Sequence, residues 1–539
     1  MNKLLILILL FSAFVPHAQG AHYFVSATGN DGNNGTSTST PWKTITKVNN
    51  TNFAAGDIIS FQGGQSFSGN LVLTESGTAA APITINSYGT GKAEILAGTG
   101  VGIYLHNNKN IRVTAFKVTG SGVSNGGIFN DGVQLLYDKI STAVLTSIYI
   151  DQVEVNGFRQ AGIAFYTSGT NGGYDDLRVT NCQVHDNGLA GMWMGGGRLG
   201  SLYGFTNVYA GYDSFYDNAG VSGYTGQSGN GMFFKQVDGG TIEHCLAFNN
   251  GALNVRFNGP VGLWAIYSNN IVIQYNESYS NHSQAGDGDG LDLDGGVTNS
   301  FVQYNYTHGN DGPGILIYQF NDTSDAPRNG NNTIRYNVSE RDNRKGGNRG
   351  SIWVGSSGSS SMQSNNRIYG NSIYTDNLNL IDINTACLRV SGAQVTNAQI
   401  YNNIFRADDG IPCVVKAGSG TASFKGNDYY SPSDFKITEG VTTYTSLSAW
   451  RVARGRETHN GNPVGLQVAP KFKNAGGGGT IGDTDQLGTL TAYKLPAHSR
   501  MIDAGLNLSA LFSVGADQDF YGNTIPQSAS WDIGAHEIP

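Results

Sequence analysis

The densest grouping of ionisable residues in this 539-residue chain is Gly286-Asp287-Gly288-Asp289-Gly290-Leu291-Asp292-Leu293-Asp294-Gly295. Carboxylates this close repel one another, and without a cation some must titrate above the ordinary range. Two chemistries use such a group. Hard oxygen ligands at this density suit a Ca²⁺ site with Asp287, Asp289, Asp292 and Asp294 as ligands. Paired carboxylates also act as acid and base on glycosidic bonds, where separations of about 6.5–9.5 Å suit inversion and about 5–5.5 Å suit retention. The structural alternative is a solvated acidic turn, or an ion that only staples the chain.

Strand alternation places Leu291 and Leu293 in a core and Asp292 and Asp294 on the outer face, about 6–7 Å apart, with Asp287 and Asp289 on the turn feeding the strand. The strand belongs to a repeat. Short β-branched or aromatic runs end in Asn or Asp at Asp151, Asn181, Asn276, Asn305, Asn337, Asn371 and Asn403, with consecutive members 29 to 34 residues apart and Tyr212 and His244 filling the one longer gap. Each run is followed by a Gly/Asn turn and a second short strand such as Gly231-Met232-Phe233-Phe234 or Gly314-Ile315-Leu316-Ile317. Two or three strands per repeat without helical periodicity describe a coil of parallel strands, each coil stacked on the next. The recurring Asn suits a ladder of hydrogen bonds that satisfies buried turn backbone.

The expected fold is all-β: a right-handed parallel β-helix of about ten coils over residues 85–430. Residues 21–84 form an N-terminal cap and the first strands, with one short helix at Thr40–Val48, Pro41 in its first turn. Residues 431–539 form a C-terminal extension packed on the coils. Aligning the strands gives the neighbours of the acidic run on the outer face. Trp193, Phe233, Trp264, Tyr318 and Trp353 are candidate sugar-stacking residues. Lys235, Lys345 and Arg349 are candidate bases, with His308 and Asp311 on the approach turn.

Composition agrees with this reading. The chain has 76 Gly, 27 Tyr, 24 Phe and 6 Trp, only 13% charged residues and a net charge of −8. So many aromatics argue against disorder, and the acidic balance without Lys/Arg runs argues against a nucleic-acid partner. Residues 1–20 read as a cleaved signal segment: Lys3, the apolar run Leu4–Val15, then Ala18-Gln19-Gly20. An apolar run this short does not span a bilayer, so the expected product is secreted or periplasmic and monomeric. Cys387 and Cys413 fall at the starts of similar runs, so stacking as a disulfide or as buried thiols are both open.

A family resemblance adds to this. Tyr23-Phe24-Val25-Ser26-Ala27-Thr28-Gly29-Asn30-Asp31-Gly32, Pro41-Trp42-Lys43-Thr44-Ile45 and Ala55-Gly56-Asp57-Ile58-Ile59 resemble the N-terminus of exported bacterial proteins of the pectate-lyase-like β-helix superfamily. The closing Asp532-Ile533-Gly534-Ala535-His536-Glu537 is similar to the end of the same group. Within it, Asp289-Gly290-Leu291-Asp292 resembles the Asp-Asp-Gly-x-Asp calcium turn of family-nine polysaccharide lyases, with Gly288 in place of the first Asp. That likeness implies Ca²⁺ on Asp289 and Asp292, helped by Asp287 and Asp294, and a Lys or Arg base. The same run is also similar to the Thr-Asp-Gly-Ile-Asp segment of polygalacturonase-type glycosidases, and Asn310-Asp311-Gly312 to their Gly-Asp-Asp. There Gly312 replaces an Asp, and Arg349 stands where a His is expected. The Asp-Pro-His-Glu element of mannuronan epimerases is absent.

The leading expectation is a Ca²⁺-dependent lyase cleaving a uronic-acid-containing polysaccharide by β-elimination. The alternative is an inverting glycoside hydrolase with paired Asp, catalysis then falling to Asp289, Asp292 and Asp311. A further alternative is a non-catalytic glycan-binding or surface protein.

Overall fold

The computed structural model describes residues 20–139, 142–168, 172–196, 203–324, 327–511, 518–527 and 530–538. The signal segment falls in residues 1–19, outside the described residues.

Each coil lays one strand into each of three long sheets. In the coil carrying the acids these are Asn269–Gln274, Glu277–Tyr279 and Asp289–Leu293. The first sheet has 14 strands from His22–Val25 to Ala422–Lys425, the second 14 from Leu71–Leu73 to Thr442–Tyr444, and the third 13 from Ser66–Ser68 to Asp428–Tyr430. Neighbouring strands pair in parallel along each stack, and the antiparallel pairing of Ile437–Glu439 with Thr442–Tyr444 closes the second sheet. The stack is therefore longer than the sequence repeat indicates, beginning near residue 22 rather than 85. Its first coils lack the Asn-ended runs that reveal the rest.

Parallel sheets covered on one face by their own interior need continuous apolar stacking, and the register supplies it. Leu263, Leu291, Ile315 and Ile352 align on successive strands, as do Ala265, Leu293, Ile317 and Val354, all fully buried. Removing one such leucine costs about 2–5 kcal/mol. The turns are held by side-chain ladders. Asn276, Asn305, Asn337, Asn371, Asn403 and Asn427 each donate from Nδ2 to the next Oδ1 at 2.9 Å, the last acting as acceptor. A second ladder, Asn187, Asn218, Asn250, Asn281, Asn310 and Asp342, runs beneath the turn that feeds the second sheet.

The N-terminal helix is shorter than the sequence suggests. It spans Ile45–Asn49, with Thr44 accepting a hydrogen bond from the Lys47 N–H. Pro41 and Trp42 lie before it in extended chain, because Trp42 bridges Val25 at the start of the first sheet. At the other end the helix Leu447–Arg454 buries Trp450 against Phe424 and Tyr429. The rest of the C-terminal extension packs outside the coils. One apolar cluster joins Tyr306, Val338, Tyr374 and Ile404 to Phe472, Leu487, Tyr493 and Ile533. Another joins Tyr304, Tyr336, Tyr369 and Tyr401 to Leu508, Ile525 and Trp531. Both draw on the first and third sheets and the turns between them, so the second sheet is the one offered outward around the acids. Cys387 and Cys413 are free and buried on adjacent strands, so no disulfide joins them. Among the described residues no helix is long and apolar enough to cross a membrane.

Candidate active site

Simple alternation would turn Asp289 inward with Leu291 and Leu293. The structure breaks the alternation at Gly290. A Cβ there would lie 2.9 Å from Asn310 Nδ2 and 3.2 Å from Thr307 Cγ2, both interior atoms, so Gly290 and Leu291 both face inward. Gly191, Gly231 and Gly262 do the same on the preceding coils. The effect is to turn Asp289 outward beside Asp292 and Asp294. Its register partner Val261 confirms the direction, since Val261 packs with the outer-face residues Phe233 and Trp264. On the following coil, the missing side chain of Gly312 leaves the space that the Asp289 carboxylate fills. Gly312 is thus a spacing element, where the polygalacturonase likeness has a carboxylate.

The four acids differ in access. Asp289 and Asp292 are buried at 0% and 3% exposure, whereas Asp287 and Asp294 are partly open. Neither Asp289 oxygen has a hydrogen-bond partner, and one oxygen of Asp292 lacks one. Burial, reinforced by the neighbouring carboxylates, pushes both well above the ordinary range. Asp294 rises to about 7, chiefly through burial, which outweighs the Gly295 N–H beside it. Asp287 accepts from the Gly259 N–H and pairs with Arg349 Nη2 at 3.0 Å. Burial raises it, and the guanidinium opposes that rise.

Arg349 is held between two rings, 5.3 Å from Phe257 and 5.4 Å from Trp353. Phe257 is 69% exposed at the rim, on the long turn that precedes the second-sheet strand of its coil. Sequence reasoning missed it because the repeat aligns strands and leaves turns blank. His282 was missed for the same reason, and lies 3.4 Å from Asp311.

The other expected residues divide. Asp311 pairs with Lys345 at 3.3 Å and accepts from the Ser283 N–H. Burial would raise its pKa, but His282, Ser283 and Lys345 together hold it below the usual value. Lys345 and Arg349 are therefore tied into ion pairs rather than poised as bases. His308 stands on the third sheet, 3.1 Å from Glu277 and stacked on Tyr279, so it is removed from the acids. The backbone N–H groups of Ile481 and Gly482 in the C-terminal extension donate to the same Glu277. Phe233 and Trp264 are only 2% and 4% exposed, packed together at 4.7 Å, and so are not open platforms. Trp193, Tyr318 and Trp353 are half-buried, with Trp353 Nε1 donating to Ser391 Oγ at 2.7 Å. Lys235 lies on the same face, two strands before Asp294.

A Ca²⁺ site needs several oxygens converging on one point. Among the described residues no group of three or more His, Cys, Asp and Glu is arranged to hold a metal ion. The acids lie along a strand and its turn, and three of their oxygens, both of Asp289 and one of Asp292, are buried without hydrogen-bond partners.

No family model matches the chain. A lacto-N-biosidase of Bifidobacterium longum subsp. longum is 24% identical across 96% of this chain, which spans 36% of that protein's length. This chain thus corresponds to about a third of that curated relative. The GH136 lacto-N-biosidase of Eubacterium ramulus matches in its selenomethionine and native crystal structures, with TM-scores of 0.52 and 0.50. Identity is 17%, covering 78% of this chain and 68% of that one. Pectate lyase Pel9A aligns over 96% of this chain and 97% of its own, at 15% identity and a TM-score of 0.44. In fold, then, the chain is a parallel β-helix similar to that of the Eubacterium ramulus lacto-N-biosidase.

Proposed function

We propose that the chain is a glycoside hydrolase whose general acid is Asp294 and whose ionised partner is Asp287. One observation carries the reading: of four clustered acids, the two with solvent access are poised differently. Asp294, raised to about 7, keeps its proton at near-neutral pH and delivers it to the departing glycosidic oxygen. To Asp287, where the Arg349 guanidinium at 3.0 Å opposes the rise that burial causes, we assign the carboxylate that attacks the anomeric carbon or activates a water toward it. Environments that split two carboxyl groups in this way are how one site supplies both an acid and a base. Asp289 and Asp292 are buried out of reach of a sugar, and burial pushes both well above the ordinary carboxylate range. Phe257 and Trp353 brace the guanidinium and offer apolar surface at the rim.

The lyase expectation finds less support. β-Elimination at a uronate needs a free base and a cation beside the carboxylate. Two of the three candidate bases, Lys345 and Arg349, are committed to Asp311 and Asp287, and the third, Lys235, stands two strands away from the acids.

The name of the curated relative supports a glycan-cleaving activity and supplies the first probe, a chromogenic aryl glycoside of lacto-N-biose. Purified protein should release the aryl alcohol, and a wider panel of oligosaccharides should show new reducing ends without the ultraviolet absorbance of an unsaturated product. Unsaturated products, or no cleavage of any member, would overturn the proposal.

A further inference from the structure

On the outer face around the acids, nearly every basic side chain is neutralised. Arg349 faces Asp287, Lys345 faces Asp311, Arg344 faces Asp376 and Lys416 faces Glu439. Of the Lys and Arg side chains on the described strands of the second sheet, Lys235 and Arg389 are the two without a carboxylate partner. Both are half-buried on the second sheet, and neither charged group has a carboxylate or hydrogen-bond acceptor in reach.

Their surroundings explain why. Lys235 follows Phe233 on the same face, with Ile266 beside it on the next strand and Trp193 paired with Phe233 on the preceding one. Trp193 leans over Gly195, its indole Nε1 lying 2.8 Å from where a Cβ would sit. Arg389 sits in register between Trp353 and Val415. A cation placed among apolar groups loses hydration and recovers nothing from the protein. Burial accordingly lowers the pKa of each.

Along the stack, strands are about 4.8 Å apart. Lys235 is two strands before the acid strand, about 10 Å from it, and Arg389 three strands after, about 14 Å from it. The two thus bracket the acids along the line on which an extended oligosaccharide would lie.

We infer that the hydrolase site takes an acidic oligosaccharide, with carboxylate or sulfate groups on sugars flanking the cleaved linkage held by Lys235 on one side and Arg389 on the other. This rests on the hydrolase reading and adds the substrate's charge to it.

The test uses the full chain carrying Asp294→Asn, so that binding is read without turnover. The protein is applied to a glycan array of neutral, carboxylated and sulfated oligosaccharides, followed by calorimetry on the best acidic member and its neutral parent. An acidic preference of about tenfold or more is expected, weakening with added salt. Adding Lys235→Met and Arg389→Met together should bring the acidic-to-neutral affinity ratio to about one, while Lys235→Arg retains the preference. The array also tells carboxylate from sulfate. Equal binding of acidic and neutral members, no binding of either, or a preference that survives the double substitution would overturn the inference. Failure of the hydrolase reading shows separately, as absence of cleavage by the unsubstituted protein.

Discussion

Replacing Asp294 with asparagine should abolish hydrolysis and, at the same time, stabilise the fold in a pH-dependent way. In the folded protein Asp294 holds its proton up to about pH 7, whereas in an unfolded chain it loses it near the ordinary carboxylate value of 3.8. Between those values ionisation favours the unfolded chain, so stability falls as pH rises through the window from about 4 to about 7. A shift of roughly three units at 1.36 kcal/mol each puts the full penalty above pH 7 at about 4 kcal/mol, and near pH 5.5 at about 2 kcal/mol. Asparagine fills the same volume without a charge and removes the penalty. Calorimetric melting of both proteins at pH 4 and pH 8 should show no gain for the variant at pH 4 and a clear gain at pH 8. Activity should drop by about 10²–10⁴, and less on aryl glycosides whose leaving group needs no proton. Equal melting differences at both pH values, or a variant less stable at pH 8, would refute the account of Asp294.

Arg349→Met removes the cation that opposes the burial of Asp287, so the acidic limb of the rate–pH profile should move upward, with an unmoved limb counting against the pairing. In the unsubstituted enzyme the alkaline limb should fall near pH 7, where Asp294 gives up its proton. Exhaustive treatment with chelator should leave hydrolysis intact, since no reaction step proposed here passes through a metal. Loss restored by Ca²⁺ would contradict that. Asn305→Ala breaks a rung on which Asn276 and Asn337 both depend, stranding the buried Ile273 carbonyl, and should cost about 2–4 kcal/mol by denaturant titration.

The coil architecture was legible in the sequence because the ladder needs Asn at fixed spacing, and spacing survives as a pattern. Before residue 85, where no Asn-ended runs recur, only a cap and first strands could be read, without the coil repeat. The acidic run was legible as a cluster, but its division of labour was not. Asp289 turns outward only because Gly290 faces inward, a break in alternation that a strand template does not contain. The carboxylates separate into open and buried members through turns such as Gly259 and Gly312, which contact them from other coils. Pairings such as Arg349 with Asp287 and Lys345 with Asp311 cross coils whose turn lengths vary. His308 was misplaced because the repeat does not say which of three sheets a short strand joins.

The most direct test of the central claim is the fate of solvent oxygen. Cleavage of an accepted oligosaccharide in water enriched in heavy oxygen, read by mass spectrometry, should place the label in one new reducing end per bond broken, with Asp294→Asn and Asp287→Asn each eliminating it. Unlabelled, unsaturated products, or labelled products that persist in both variants, would contradict the assignment of this acidic strand as a hydrolytic site.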